Sequence, residues 1–167
     1  MGDELEELYR TTYATVVRFL YRKVWDADRA EDLAQEAFVR ALDHDPDNPR
    51  AFVFTVAANL ARDEARTAIR RRRHLELVKA EAAAEVGESP AERIERQERQ
   101  QVVRAALARL TERDREVLLL WDAGLDYDEI AAQTGLARGA IGTTLSRARR
   151  RLVEAHRALE GTDAALG

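Results

Sequence analysis

The 167-residue chain has no cysteine, one methionine, three prolines and eight glycines, and aromatic residues make up only 6% of it. The absence of cysteine excludes disulfides, thiolate zinc sites, iron–sulfur clusters and a cysteine nucleophile. No apolar run approaches the roughly 20 residues needed to span a bilayer. The opening Met1-Gly2-Asp3-Glu4 is acidic where a secretory signal is basic and then apolar. These absences predict a cytoplasmic protein with no membrane insertion. What is abundant is Ala, Leu, Arg and Glu, the strongest helix formers, so the expected fold class is all-α.

The formal net charge of −4, from 27 basic and 31 acidic residues, hides an uneven distribution. One basic cluster holds Arg62, Arg66 and the run Arg70 to Arg73; a second holds Arg147, Arg149, Arg150 and Arg151. Between them, residues 76–100 carry seven glutamates against four basic residues. Two positive patches separated by an acidic segment predict two contacts with a polyanion and a connector that avoids it.

Periodicity divides the chain into two small helical domains, 5–75 and 99–160, joined by a flexible acidic linker over 76–98. In the first, Leu5, Leu8, Tyr9, Tyr13, Val16, Val17, Leu20 and Val24 recur at helical spacing. A second helix is predicted from Asp28 to Leu42, with the rows Leu33, Ala37, Ala41 and Ala34, Phe38, Leu42 forming one apolar face. Pro46 and Pro49 break the chain after it. A third helix is predicted from Pro49 through Arg73, with Phe52, Val56 and Leu60 on its core side. The linker carries Gly87, Ser89 and Pro90 and lacks a regular apolar stripe.

In the second domain, Val102, Val103, Ala106, Leu107 and Leu110 mark an amphipathic helix. Thr111 to Asp114 and Asp126 to Glu129 each place a capping residue three positions before an acid. Residues 126–152 then read as a short helix, a tight turn at Gly135-Leu136-Ala137 and a longer helix, the helix-turn-helix layout. If the last helix buries Ile141, Leu145, Ala148 and Leu152, the opposite side presents Gly139, Thr143, Ser146 and Arg150, flanked by Arg138, Arg147 and Arg149. Small residues near its start permit close approach to base edges, and arginines near its end neutralise phosphates.

Three segments, in order, resemble the bacterial RNA polymerase sigma factors of the extracytoplasmic-function (ECF) group. Ala30-Glu31-Asp32-Leu33-Ala34-Gln35-Glu36-Ala37-Phe38 is similar to region 2.2. Asn48 to Phe54 with Ala57 to Asp63 is similar to regions 2.3 and 2.4, and Leu110 to Leu152 to region 4. The resemblance implies a sigma factor that binds core RNA polymerase, recognises promoter DNA and promotes its melting. It also implies an anti-sigma factor as a further partner, and no cofactor. For core polymerase it implies Asp32, Leu33, Gln35, Glu36 and Val39. For the minus-ten element it implies His44, Asp45, Asp47, Asn48, Asn59, Arg62, Arg66 and Arg70. For the minus-thirty-five element it implies Arg138, Gly139, Thr143, Ser146, Arg147 and Arg150.

Some positions depart from the family pattern. Phe52 stands where Trp is frequent, Ala58, Gly142 and Thr144 where basic residues are common, and Ala137 where a Ser or Thr cap is usual.

Other functions fit the residues less well. A DNA-binding regulator that never engages core polymerase shares the last domain but has no need of the Asp32 to Phe38 face. An adaptor role leaves two basic patches unexplained. For an enzyme, His44, His74 and His156 are far apart, and neither an HExxH motif nor a glycine-rich phosphate loop is present. No metal site and no catalytic residue are therefore expected.

Overall fold

A computed structural model describes residues 2–72 and 87–166. Among the described residues there are seven helices and no strand: α1 (Gly2–Val24), α2 (Ala27–Leu42), α3 (Pro49–Arg72), α4 (Pro90–Ala108), α5 (Glu112–Asp122), α6 (Tyr127–Thr134) and α7 (Arg138–Leu166). The all-α expectation holds. The chain forms two compact units, Met1–Val78 with Leu119–Glu129, and Lys79–Leu118 with Ile130–Gly167.

In the first unit α1, α2 and α3 pack against one another. Helix α1 contributes Val16, Phe19 and Leu20, and α2 contributes Ala30, Leu33, Ala34, Ala37, Phe38 and Ala41, all buried. Leu42 was expected on that face but is 54% exposed, because α2 ends there and its side chain projects past the core. The buried face of α3 is Val53, Phe54, Ala57, Ala58, Leu60 and Ala61, while Phe52 and Val56 are only half-buried. The inward face is thus rotated from the one expected. Phe54 sets it by meeting Phe19 edge-to-face, with ring centroids 5.5 Å apart. Such a contact adds about 1 kcal/mol to the area buried.

The α1–α2 corner is made without glycine. Trp25 takes φ +56°, its N–H donates to the Tyr21 carbonyl at 2.8 Å, and its ring meets Tyr21 at 5.6 Å. Asp26 then caps α2, its Oδ1 accepting the Arg29 N–H at 3.1 Å. At the next corner Asn48 caps α3 through Oδ1 to the Ala51 N–H at 3.1 Å. Pro49 opens that helix, where its fixed φ is preorganised and its missing N–H costs no helix bond.

In the second unit α4 packs on α7. Its buried residues include Ala106, Leu107, Leu110, Val117, Ile130, Ile141, Leu145, Ala148 and Ala155. Helix α4 starts at Pro90, so residues 90–98 are helical where a linker was expected. The cause is local. Ser89 accepts the Glu92 N–H at 3.2 Å, and the Glu92 carboxylate accepts the Ser89 N–H at 2.9 Å. This reciprocal capping box, with Pro90 at the first turn, starts the helix without needing an apolar stripe. Residues 76–86 of the expected linker, together with Arg73, His74 and Leu75 before them, lie outside the described residues.

Replacing Ser89 with Ala removes the cap acceptor, which costs about 1 kcal/mol. Amide exchange over residues 91–93 is expected to accelerate in Ser89→Ala, while that of Ala106 and Leu107 stays at the wild-type rate.

Candidate functional site

Three surfaces carry the residues singled out by sequence. On α2 the buried rows leave Asp32, Gln35, Glu36 and Val39 exposed, as an acidic stripe around an aliphatic side chain that is 59% exposed. Leu33 does not join them. It is 3% exposed and belongs to the α1–α3 core, so its role is to hold the helix that presents the stripe.

The stripe is braced from behind. Arg29 spans from α2 to α3 with two bonds to Glu64, at 2.8 and 2.7 Å, and reaches Asp32 at 3.3 Å. The Glu64 carboxylate, first through its hydrogen bonds, raises the Arg29 pKa further above its ordinary value. Glu36 pairs with Arg40 one turn away. Gln35 hydrogen-bonds the Tyr13 hydroxyl; burial raises the Tyr13 pKa, and this bond opposes the shift. Sequence reasoning missed Arg29, Glu64 and Tyr13, because each acts through a neighbour on another helix.

The second surface is the 43–48 loop with the outer face of α3. His44, Asp45, Asp47 and Asn48 are all exposed. The His44 ring lies 5.2 Å from Phe52, with Nδ1 2.9 Å from the Arg40 carbonyl. The Asn48 oxygen is committed to the α3 cap. Asn59, Arg62 and Arg66 lie on the exposed face of α3, and Arg70 sits in its last turns. Ala58, where the family commonly has a basic residue, is buried, so a charge there would face the core.

The third surface is the helix-turn-helix. A capping box opens α6, with the Glu129 N–H on Asp126 at 2.8 Å and the Asp126 N–H on Glu129 at 3.0 Å. Gly135 closes α6 at φ +73°, a conformation glycine adopts without a Cβ clash. Helix α7 follows, burying Ile141, Thr144, Leu145 and Ala148 and exposing Arg138, Gly139, Thr143, Ser146 and Arg150. Thr144 is therefore inward, so it leaves no gap in the charge of the outer face. Leu152 is only half-buried. A Cβ on Gly139 would meet nothing within 4 Å.

Arg147 departs from expectation. Its Nε and Nη2 lie 3.2 and 2.8 Å from the two oxygens of Asp114, and Arg151 Nη1 adds a third bond at 3.2 Å. Asp114 is 1% exposed at the start of α5, where Thr111 caps the helix by accepting the Asp114 N–H at 3.2 Å. The Arg147 hydrogen bonds, helped by the two guanidinium charges and Thr111, lower the Asp114 pKa below its ordinary 3.8 against the opposing effect of burial. Sequence alone reads Asp114 as the acid of a capping motif. The arginine pair at i and i+4 that meets it is legible only once α5 and α7 are packed.

Two family models match the chain: Sigma-70 region 2 over residues 8–75 and Sigma-70, region 4 over residues 100–152. These two regions, in this order on helical scaffolds, define a transcription-initiation protein of the sigma-70 class. Relatives narrow it. The ECF RNA polymerase sigma factor EcfG of Rhodopseudomonas palustris is 36% identical over 76% of this chain and 71% of its own length. The ferric citrate uptake sigma factor FecI of Escherichia coli is 31% identical over 86% of this chain and 85% of its own. The solved structure of the sigma factor RpoE in complex with the anti-sigma factor NepR, from Bartonella quintana, superposes with a TM-score of 0.66. It is 26% identical and covers 94% of this chain and 98% of that one. The chain belongs to the ECF sigma factors, which direct promoter recognition and the start of transcription. Among the described residues no helix is long and apolar enough to cross a membrane.

The Asp114 carboxylate ionises at lower pH when folded than when unfolded, so its contribution is complete above about pH 4 and lost as pH falls through the folded value. Because both arginines remain partly hydrated, the contribution is expected at the low end of about 1–3 kcal/mol. Thermal melting should therefore separate the wild-type chain from Asp114→Asn by a constant gap from pH 7 to pH 5, and the gap should shrink as acid is added below that.

Proposed function

We propose that the chain docks on core RNA polymerase through the α2 stripe, reads and melts the minus-ten element with the 43–48 loop and α3, and holds the minus-thirty-five element with α7. The supporting observation is the outer face of α7. Gly139 lies open there with no contact inside the fold to require a glycine, beside exposed Thr143, Ser146, Arg138 and Arg150. A helix whose first turns set small residues beside Arg138, with Arg150 further along, suits a major groove, with base edges met across the small residues and phosphates by the arginines.

In this reading residues 5–75 and 99–160 are the two functional domains, with 76–98 as connector. Helix α4 carries the second domain's scaffold back to Pro90. Asp32, Gln35, Glu36 and Val39 form a polar patch around one apolar contact, suited to a basic-rimmed partner helix. Leu33 supports that patch from the core. At the minus-ten element, His44, Asp45, Asp47 and Asn48 offer donors and acceptors for an unstacked base. Asn59, Arg62, Arg66 and Arg70 hold the separated strand by its phosphates. The protein works in the cytoplasm as a specificity subunit and performs no chemistry of its own. An anti-sigma factor is its proposed regulator, by likeness to the complex of RpoE with NepR.

Run-off transcription from genomic fragments with core polymerase, with and without the chain, tests the reading; transcripts independent of the chain would sink it. Charge reversal at Asp32 and Glu36 is expected to abolish retention of core polymerase in a pull-down while leaving the far-UV spectrum unchanged. A Gly139→Leu chain should melt no lower than wild type yet bind a minus-thirty-five duplex about tenfold more weakly or worse. Undiminished affinity would remove α7's first turn from the groove.

A further inference from the structure

Arg147 and Arg151 stand one turn apart on α7 and converge on a single carboxylate of α5. Arg147 spans both oxygens of Asp114, at 2.8 and 3.2 Å, and Arg151 takes one of them at 3.2 Å. The apolar face of α7 supplies burial but little direction. Ile141 and Leu145 are followed by Ala148 and Ala155, and hydrophobic contact is non-directional. A planar guanidinium fork on a carboxylate is directional, because both bonds survive only within a narrow range of orientation. The Arg147 fork, joined one turn on by the single Arg151 bond, fixes rotation about the helix axis and position along it together. Asp114 is itself held: its N–H is tied to Thr111, and the residue is 1% exposed.

We propose that Asp114 is a positioning residue for promoter recognition. It withdraws Arg147 and Arg151 from the set of phosphate contacts and uses them to set the register of α7. It thereby fixes where Gly139, Thr143, Ser146 and Arg150 meet the duplex. The proposal rests on reading α7 as the minus-thirty-five helix, and it changes the charge count of that helix. Of the two neighbouring arginines, Arg150 on the exposed face serves the phosphates and Arg147 serves the protein.

The test is the salt dependence of binding by the full chain assembled with core polymerase. The probe is a duplex from a promoter whose start site has been mapped by run-off. Each lost phosphate contact lowers the slope of log K against log salt by about 0.9. Arg150→Ala is expected to show that loss. Arg147→Ala is expected to keep the wild-type slope but to lower the ratio of specific to non-specific affinity about tenfold. Arg147→Lys, which keeps the charge but loses the fork, should behave like Arg147→Ala. Asp114→Asn should lower the same ratio.

All ratios are to be read at a temperature where circular dichroism shows each variant folded, so that a purely stabilising role would leave them at the wild-type value. A slope that drops in Arg147→Ala and returns in Arg147→Lys would assign Arg147 to a phosphate and overturn the proposal. Unchanged ratios in the folded variants would overturn it equally. Failure of the wild-type assembly to prefer the promoter duplex would instead reject the reading of α7, and the proposal with it.

Discussion

A carboxylate taken out of water is unfavourable unless cations and donors meet it. At Asp114 that condition is met by two arginines and a threonine. The surface proposed for promoter recognition in the second unit follows from it. Helix α7 is long, runs from Arg138 to Leu166, and buries a face partly made of small residues. A helix of that kind packs acceptably in neighbouring registers, and a directional charge contact selects one. The first unit uses the same device in milder form. Arg29 grips Glu64 with both arms and so fixes α2 against α3 behind the acidic stripe. In each unit a bidentate arginine stands behind the surface proposed for a partner.

The two contacts differ in setting, and the difference suits their roles. The Glu64 side chain is 17% exposed, whereas that of Asp114 is 1% exposed. Arg29 also reaches Asp32, itself a member of the outward stripe, so the brace and the presented surface share a charge. Changes to the stripe therefore alter the bracing as well. On α7 the braced and presented residues are distinct, which separates positioning from contact.

Much of the fold is legible in the sequence because it is written in local chemistry. The seven helices among the described residues follow from apolar spacing, from Pro46 and Pro49, and from the caps at Thr111 and Asp126. The outer face of α7 follows from the placement of Ile141, Leu145 and Ala148. Two features fell short for different reasons. The start of α4 was legible at Ser89, Pro90 and Glu92, but capping specifies a helix without giving it an apolar stripe, so a search for periodicity passes over it. The inward turn of α3 was not legible, since Phe52 and Phe54 are equally apolar and only the edge-to-face contact with Phe19 chooses between them. Site residues divide in the same way. Exposed members such as Asp32 and Gly139 can be read from a helical wheel. The commitment of Arg147 to Asp114 depends on residues 33 positions apart.

The corner at Trp25 has a practical side. Only two tryptophans occur in the chain, and this one sits at the left-handed residue between α1 and α2, with Tyr21 at its edge and the Arg22 guanidinium 5.8 Å from its ring centre. An indole so placed changes its emission when that joint loosens. With Trp121 replaced by Phe, the chain would carry a built-in optical reporter of the helical hairpin that displays the acidic stripe.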